Sequence, residues 1–262
     1  MRHSVLAALC ISALTLTSLH AEALSVRADS WPPYNYEPGA KPAGFVVDLL
    51  HQAFGVEGID YQAAPWNRAL EQVQEGKIDA VIGASQVDID QKGMIRGDEM
   101  CGMSGTTIMV LAGSTFKYTD IESLAAIKLG VIDGYNYNEP MDPYIAAHPE
   151  RLFKATGDDA LEKLIKMLLA KRIDAVVDDP AVLAVKLKAL GATDQVRSAG
   201  AVVKAFPIYV GFSGKKSDSA ARAKRLDETI RALRASGELT RILGVYGIVD
   251  WAPAANVAPV KP

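Results

Sequence analysis

The six residues Lys77-Ile78-Asp79-Ala80-Val81-Ile82 occur a second time, little changed, as Arg172-Ile173-Asp174-Ala175-Val176-Val177. Each copy follows an amphipathic run, residues 70–75 closed by Gly76 in the first case and residues 161–170 in the second. A helix, a tight turn and a continuous apolar run form one αβ unit of a parallel sheet, because a strand covered by helices on both faces has no polar side. A chain holding that unit twice is constrained towards two similar α/β lobes. A small ligand is then expected in the cleft between them, outside the strand ends. Asp79 and Asp174 stand at the strand starts and are read as scaffold, bonding nearby turn amides.

A chain of 262 residues has the mass for two small lobes with real cores. Its formal net charge of −3 leaves no basic footprint for nucleic acid and no polybasic membrane patch. Residues 1–23 read as a cleavable signal peptide: Arg2 and His3 are the positive start, 5–19 the apolar stretch and Ala21-Glu22-Ala23 the small-residue exit. Export to the periplasm follows as the expectation. Cys10 is preceded by Leu9, where a lipid anchor would want a small residue. Cys101 then remains alone, unable to form an intramolecular disulfide, and is read as a small buried hydrophobe. The Ala/Pro/Val-rich residues 252–262 read as a disordered tail.

Along the chain, strands are expected at 24–29, 59–63, 106–112, 128–132, 173–178 and 201–212, the last strongly apolar and β-branched. Helices are expected at 44–55, after Pro65, from the loop at 134–138 to Ala147, and at 157–170, 180–190, 217–235 and 240–245. Residues 84–105 show little periodicity and read as an irregular segment. The lobes are accordingly placed at 24–112 with a return at 201–251, and at 113–200, the first crossing falling near Gly113-Ser114. Two crossings act as a hinge.

The order Asp29-Ser30-Trp31-Pro32-Pro33-Tyr34, then Gly44-Phe45-Val46-Val47-Asp48-Leu49-Leu50, then Gly76-Lys77-Ile78-Asp79-Ala80, resembles family 3 of the bacterial extracellular solute-binding proteins. The variant Pro65-Trp66-x-Arg68 resembles a less characterised branch of that family. The resemblance implies an α/β, two-lobe periplasmic-binding-protein type II fold. Each lobe would be a central mixed sheet flanked by helices. It also implies a monomeric receptor that hands a small polar solute, an amino acid or a related compound, to the membrane subunits of an ABC transporter. A periplasmic enzyme of the cyclohexadienyl-dehydratase type resembles the same family. A soluble sensor partner of a membrane receptor is the third reading.

The receptors resembled place an Arg a few residues after the strand that here ends at Gly83, where it forks onto the ligand carboxylate. Residues 84–92 hold no Arg. Arg68 therefore becomes the candidate anion partner. Tyr34 and Trp66 are expected to cover the body of the ligand, with Ser85 beside them. Tyr135 and Asn136 lie in a loop between a strand and a helix, where backbone N–H groups can hold an anion or simply be capped. Asp178 and Asp179 end the second repeat before Pro180. One is expected to cap the next helix, and in the receptors resembled an acid at the position of Asp179 takes the ligand ammonium. No catalytic residues, metal ligands or cofactor are assigned. The Gly211–Ser217 stretch is only a fragment of a phosphate loop. Asp88, Asp90 and Glu99 mimic a calcium loop's spacing with Lys92 at a ligand place.

Overall fold

The computed structural model describes residues 23–157 and 159–251; the expected tail and all of the leader except Ala23 lie outside the described residues. The first lobe is built from β1 (Leu24–Ala28), α1 (Phe45–Phe54), β2 (Ile59–Ala63), α2 (Trp66–Glu75), β3 (Ala80–Ala84) and α3 (Gln86–Lys92). β4 (Gly102–Leu111) leads out of it. The second lobe repeats the pattern with β5 (Leu129–Ile132), α4 (Met141–Ala147), β6 (Leu152–Ala155), α5 (Ala160–Leu169), β7 (Ala175–Asp178) and α6 (Pro180–Ala189). β8 (Val196–Phe212) returns, and α7 (Ser219–Ser236) and α8 (Glu238–Val245) follow.

One sheet runs through both lobes in the order β2-β1-β3-β8-β4-β7-β5-β6. β1 is parallel to β2 and β3, and β5 is parallel to β6 and β7. The two long strands exchange lobes. Residues 107–110 of β4 pair antiparallel with β7, while residues 209–212 of β8 pair antiparallel with β3. β4 and β8 pair with each other along the whole of β4, and their register slips between Ser104 and Thr107 and again between Ile108 and Met109. Bulges of this kind bend and twist a strand pair. The crossing expected near Gly113-Ser114 therefore lies earlier: β4 has already joined β7 by Thr107, because its β-branched run is one unbroken strand.

The doubled aspartates do the same work in each lobe. Asp79 accepts from Ser25 N at 2.8 Å and from Ser25 Oγ at 2.6 Å, while Asp79 N donates to Ser25 O at 3.0 Å. Asp174 accepts from Lys128 N at 2.7 Å, and Asp174 N donates to Lys128 O at 2.9 Å. Each carboxylate thus stitches the start of one parallel strand to the start of its neighbour. Burial pushes the Asp79 carboxyl up, but the Ser25 hydrogen bonds and the Arg222 guanidinium outweigh it and hold the group at about 2. A depressed carboxyl stabilises the fold above its unfolded value of about 4 and loses that contribution as pH falls towards 2. Asp79→Ala should cost about 2 kcal/mol at pH 7 and flatten the loss of stability between about pH 4 and 2. Urea unfolding measured across that range is the check.

The segment expected to be irregular holds α3. Ser85 caps it through Asp88 N, and Asp88 reaches back to Ser85 N at 2.9 Å, forming a capping box with Asp in the usual Glu place. The same bonds turn the calcium-like spacing into a helix start. β6, an edge strand with two exposed residues in four, is also absent from the sequence reading.

Candidate functional site

The carboxyl ends of the inner parallel strands, β1 and β3 from one lobe and β5 and β7 from the other, converge on one cleft. This is where open α/β sheets bind ligands. The cleft is narrow, with a cavity volume of about 50 Å³, and is partly open to solvent. Asp29 and Trp31 follow β1, Gly83 and Ser85 close β3, Tyr135 to Tyr137 follow β5, and Asp178 and Asp179 end β7; all of them line it, with Trp66 at the start of α2. Gly83, at φ 92°, occupies the left-handed region, and a Cβ there would stand 3.4 Å from the Trp31 ring. The glycine lets that indole lie against the end of β3.

Of the residues expected at the site, Trp66, Ser85, Tyr135, Asn136 and Asp179 line the cleft. Two do not. Tyr34 is buried beneath Trp31, their rings stacked at 4.0 Å, and its hydroxyl donates to Met103 O at 2.6 Å. Arg68 is exposed on α2 and lines no part of the cavity. Its place in the helix turns it outwards, on the face opposite the buried Ala69, Leu70 and Val73.

The two aspartates after the second repeat both line the cleft, and one of them is also the helix cap. Asp179 is the helix cap: its Oδ1 accepts from Ala181 N at 2.8 Å and Val182 N at 3.1 Å. Its Oδ2 accepts from Gly105 N at 2.9 Å and Ser104 Oγ at 3.0 Å, and the Tyr34 hydroxyl oxygen lies 3.2 Å away. Asp179 is saturated, and it ties α6 to the bulged part of β4. Asp178 is the residue with capacity left. Its Oδ1 accepts from Asp179 N at 2.7 Å and Trp31 Nε1 at 3.3 Å, while its buried Oδ2 has no hydrogen-bond partner among the described residues. Across the cleft Tyr135 donates to Asp29. Trp31 to Asp178 and Tyr135 to Asp29 are contacts between lobes, and the cleft is closed by them.

Residues 24–247 match the family model of the bacterial extracellular solute-binding proteins, family 3. The chain belongs to that family. A comparison with curated protein sequences returns no match. Among solved structures, a histidine kinase sensor domain with similarity to periplasmic binding proteins superposes on this family 3 chain with TM-score 0.72 at 17% identity, over 88% of this chain and 98% of the other. An ancestral arginine-binding protein bound to arginine gives TM-score 0.68 at 19% identity, over 87% and 99%. The GluR0 ligand-binding core from Nostoc punctiforme, in complex with L-glutamate, gives 0.65 at 17%, over 87% and 99%. These likenesses show the fold, the two-lobed periplasmic-binding-protein type II arrangement.

The electrostatics of this solute-binding cleft follow from its burial. Burial pushes the Asp178 carboxyl up to about 7; the nearby charges of Asp179 and Asp29 add to the rise, against hydrogen bonds from Asp179 N–H and Trp31. Burial likewise raises Asp179, and its backbone donors oppose the rise. Tyr135 and Tyr137 are held protonated, first by burial and then by the carboxylates around them. Both phenols are therefore donors.

Proposed function

We propose that this protein is a periplasmic receptor that captures a small polar solute by closing its two lobes and delivers it to the membrane subunits of an ABC transporter. The observation that carries the reading is the cleft itself: donors and acceptors from both lobes meet only when it is shut, across strands whose pairing slips at the hinge. A ligand that contacts both lobes shifts the population towards the closed form by the difference in its affinity for the two states. The signal-peptide-like start supports export. The solved structures that share the fold serve in binding and in sensing, so the cognate membrane partner decides between delivery and signalling.

An enzyme of the cyclohexadienyl-dehydratase type is the less supported reading, although a carboxyl raised to about 7 is the kind of group that moves protons. Substrates of that type carry carboxylates, and the lining has no Lys, Arg or His among the described residues to receive them.

Trp31 and Trp66 both line the cleft, so their fluorescence reports its closure. A bound solute should change the emission and, at 100 times its Kd, stabilise the protein by about 2.7 kcal/mol. Cross-linking in membranes should then recover a transporter permease. Recovery of a sensor protein alone would overturn delivery. Silence of fluorescence and melting temperature to every class of small solute would overturn binding.

A further inference from the structure

Four carboxylates line the cleft, Asp29, Asp88, Asp178 and Asp179, and no Lys, Arg or His does among the described residues. Several of the neutral donors nearby are already engaged by these acids, while the Tyr137 hydroxyl accepts from Ile132 N. Ser85 N and Oγ donate to Asp88, Ser104 Oγ and Gly105 N to Asp179, Trp31 Nε1 to Asp178 and Tyr135 Oη to Asp29. Trp66 and Asn136 can add neutral N–H groups, which do not balance a full negative charge. Lys186 faces a smaller adjoining space that also touches Asp29 and Asp178, and it is paired with Glu162 at 3.8 Å. Lys92 and Lys154 line a larger adjoining space that shares Asp88, Tyr135, Asn136 and Tyr137 with the cleft, Lys154 being paired with Asp133 at 3.7 Å. An anionic group entering the cleft itself would be stripped of water beside these carboxylates without a cation among the described lining residues, which is strongly unfavourable.

The one signal that points to a ligand is an acceptor. Asp178 is 3% exposed, and its Oδ2 is a buried oxygen with no donor among the described residues. Buried carboxylate oxygens are normally hydrogen-bonded. Trp31, Trp66 and Tyr135 line the same cleft, and aromatic rings attract a cation held against their faces.

We propose that the solute is an organic cation without a carboxylate of its own, an amine or guanidine whose N–H groups bond Asp178 Oδ2 while the aromatic rings cover its carbon frame. This rests on the solute-binding reading and names its ligand class. The cation also explains closure. Asp29 comes from the first lobe and Asp178 from the second, so a positive group lying between them is held by both lobes. With the ligand bound, Asp178 is held ionised; in the empty cleft it titrates near 7 among Asp29, Asp179, Tyr135 and Tyr137, with Glu162 and Lys186 behind. Affinity therefore falls as pH drops below about 7, by up to about tenfold per unit.

The test uses matched pairs that differ only by the α-carboxylate: agmatine against arginine, putrescine against ornithine, and phenethylamine against phenylalanine, with succinate as the anion. Titration calorimetry at pH 8 should show at least one decarboxylated member binding about 100-fold or more tighter than its amino acid. Asp178→Asn, and Asp29→Asn from the opposite lobe, should each lose about 100-fold with the circular dichroism unchanged, whereas Arg68→Ala should bind like the parent. An amino acid or succinate binding as tightly as the amines would overturn the cation proposal and leave the solute-binding reading standing. Binding of amines unaltered in both Asp variants would overturn it as well. Silence to every probe, with no response to any other solute class, would remove both.

Discussion

Asp178→Asn is expected to raise the melting temperature of the empty protein by about 5 °C at pH 8, while destroying ligand affinity. The two effects have one origin. A carboxyl whose folded value is about 7 holds its proton more tightly in the native state than in the unfolded chain, where it titrates near 4. The folded protein therefore loses stability as pH rises from about 4 to 7, and above 7 it carries the whole penalty. At 1.36 kcal/mol per unit the penalty is on the order of 4 kcal/mol. Asparagine keeps the shape and the Oδ1 acceptor but never ionises, so about half of that should return, the rest being offset by an unpartnered amide in place of Oδ2. Melting curves from pH 4 to 8 would check this: the parent should soften towards pH 8 more than the variant. Equal slopes would mean that Asp178 is not the group responsible.

Asp179→Ala should do the reverse, costing about 4 kcal/mol and lowering the melting temperature by roughly 10 °C. Here a buried carboxylate accepts four hydrogen bonds, from Ala181 N, Val182 N, Gly105 N and Ser104 Oγ. Tyr34 keeps its own acceptor in Met103 O, but three backbone N–H groups would be left without partners. α6 would lose its cap, and the bulged stretch of β4 would lose its anchor to the second lobe. Thermal melts of the two variants side by side give opposite signs for neighbouring residues of identical chemistry. A loss for Asp178→Asn as large as for Asp179→Ala would contradict the division of roles.

The repeat made the fold legible, because an αβ unit with both faces covered has a distinctive apolar pattern and Asp79 and Asp174 mark the same place in each copy. The capping box at Ser85 was equally visible in principle, since Ser85 and Asp88 carry the required spacing; its acid is one methylene shorter than the usual partner, and the segment's glycines dominate the local pattern. The site was legible as a place but not as a set of residues. Tyr135 and Asn136 belong to a loop that follows a strand and Trp66 opens the helix after another, which sequence order reveals. Whether Asp178 or Asp179 faces the ligand depends on where Gly105 and Ser104 arrive from, some seventy residues earlier in the chain. Arg68 was chosen because the cleft lacked a cation in sequence; in the structure that lack is itself the informative property.

The exchange of β4 and β8 has a consequence for how such proteins can be recombined. Everything that belongs to the second lobe lies in one uninterrupted stretch, whose two ends sit side by side where Thr106 pairs with Val203. The first lobe is the interrupted one. A single cassette spanning those ends carries Tyr135, Asn136, Asp178 and Asp179 together, while Asp29, Trp31 and Trp66 stay behind. Half of the ligand's surroundings can thus be transplanted between relatives in one piece, joined through a strand pair already close enough to be spliced.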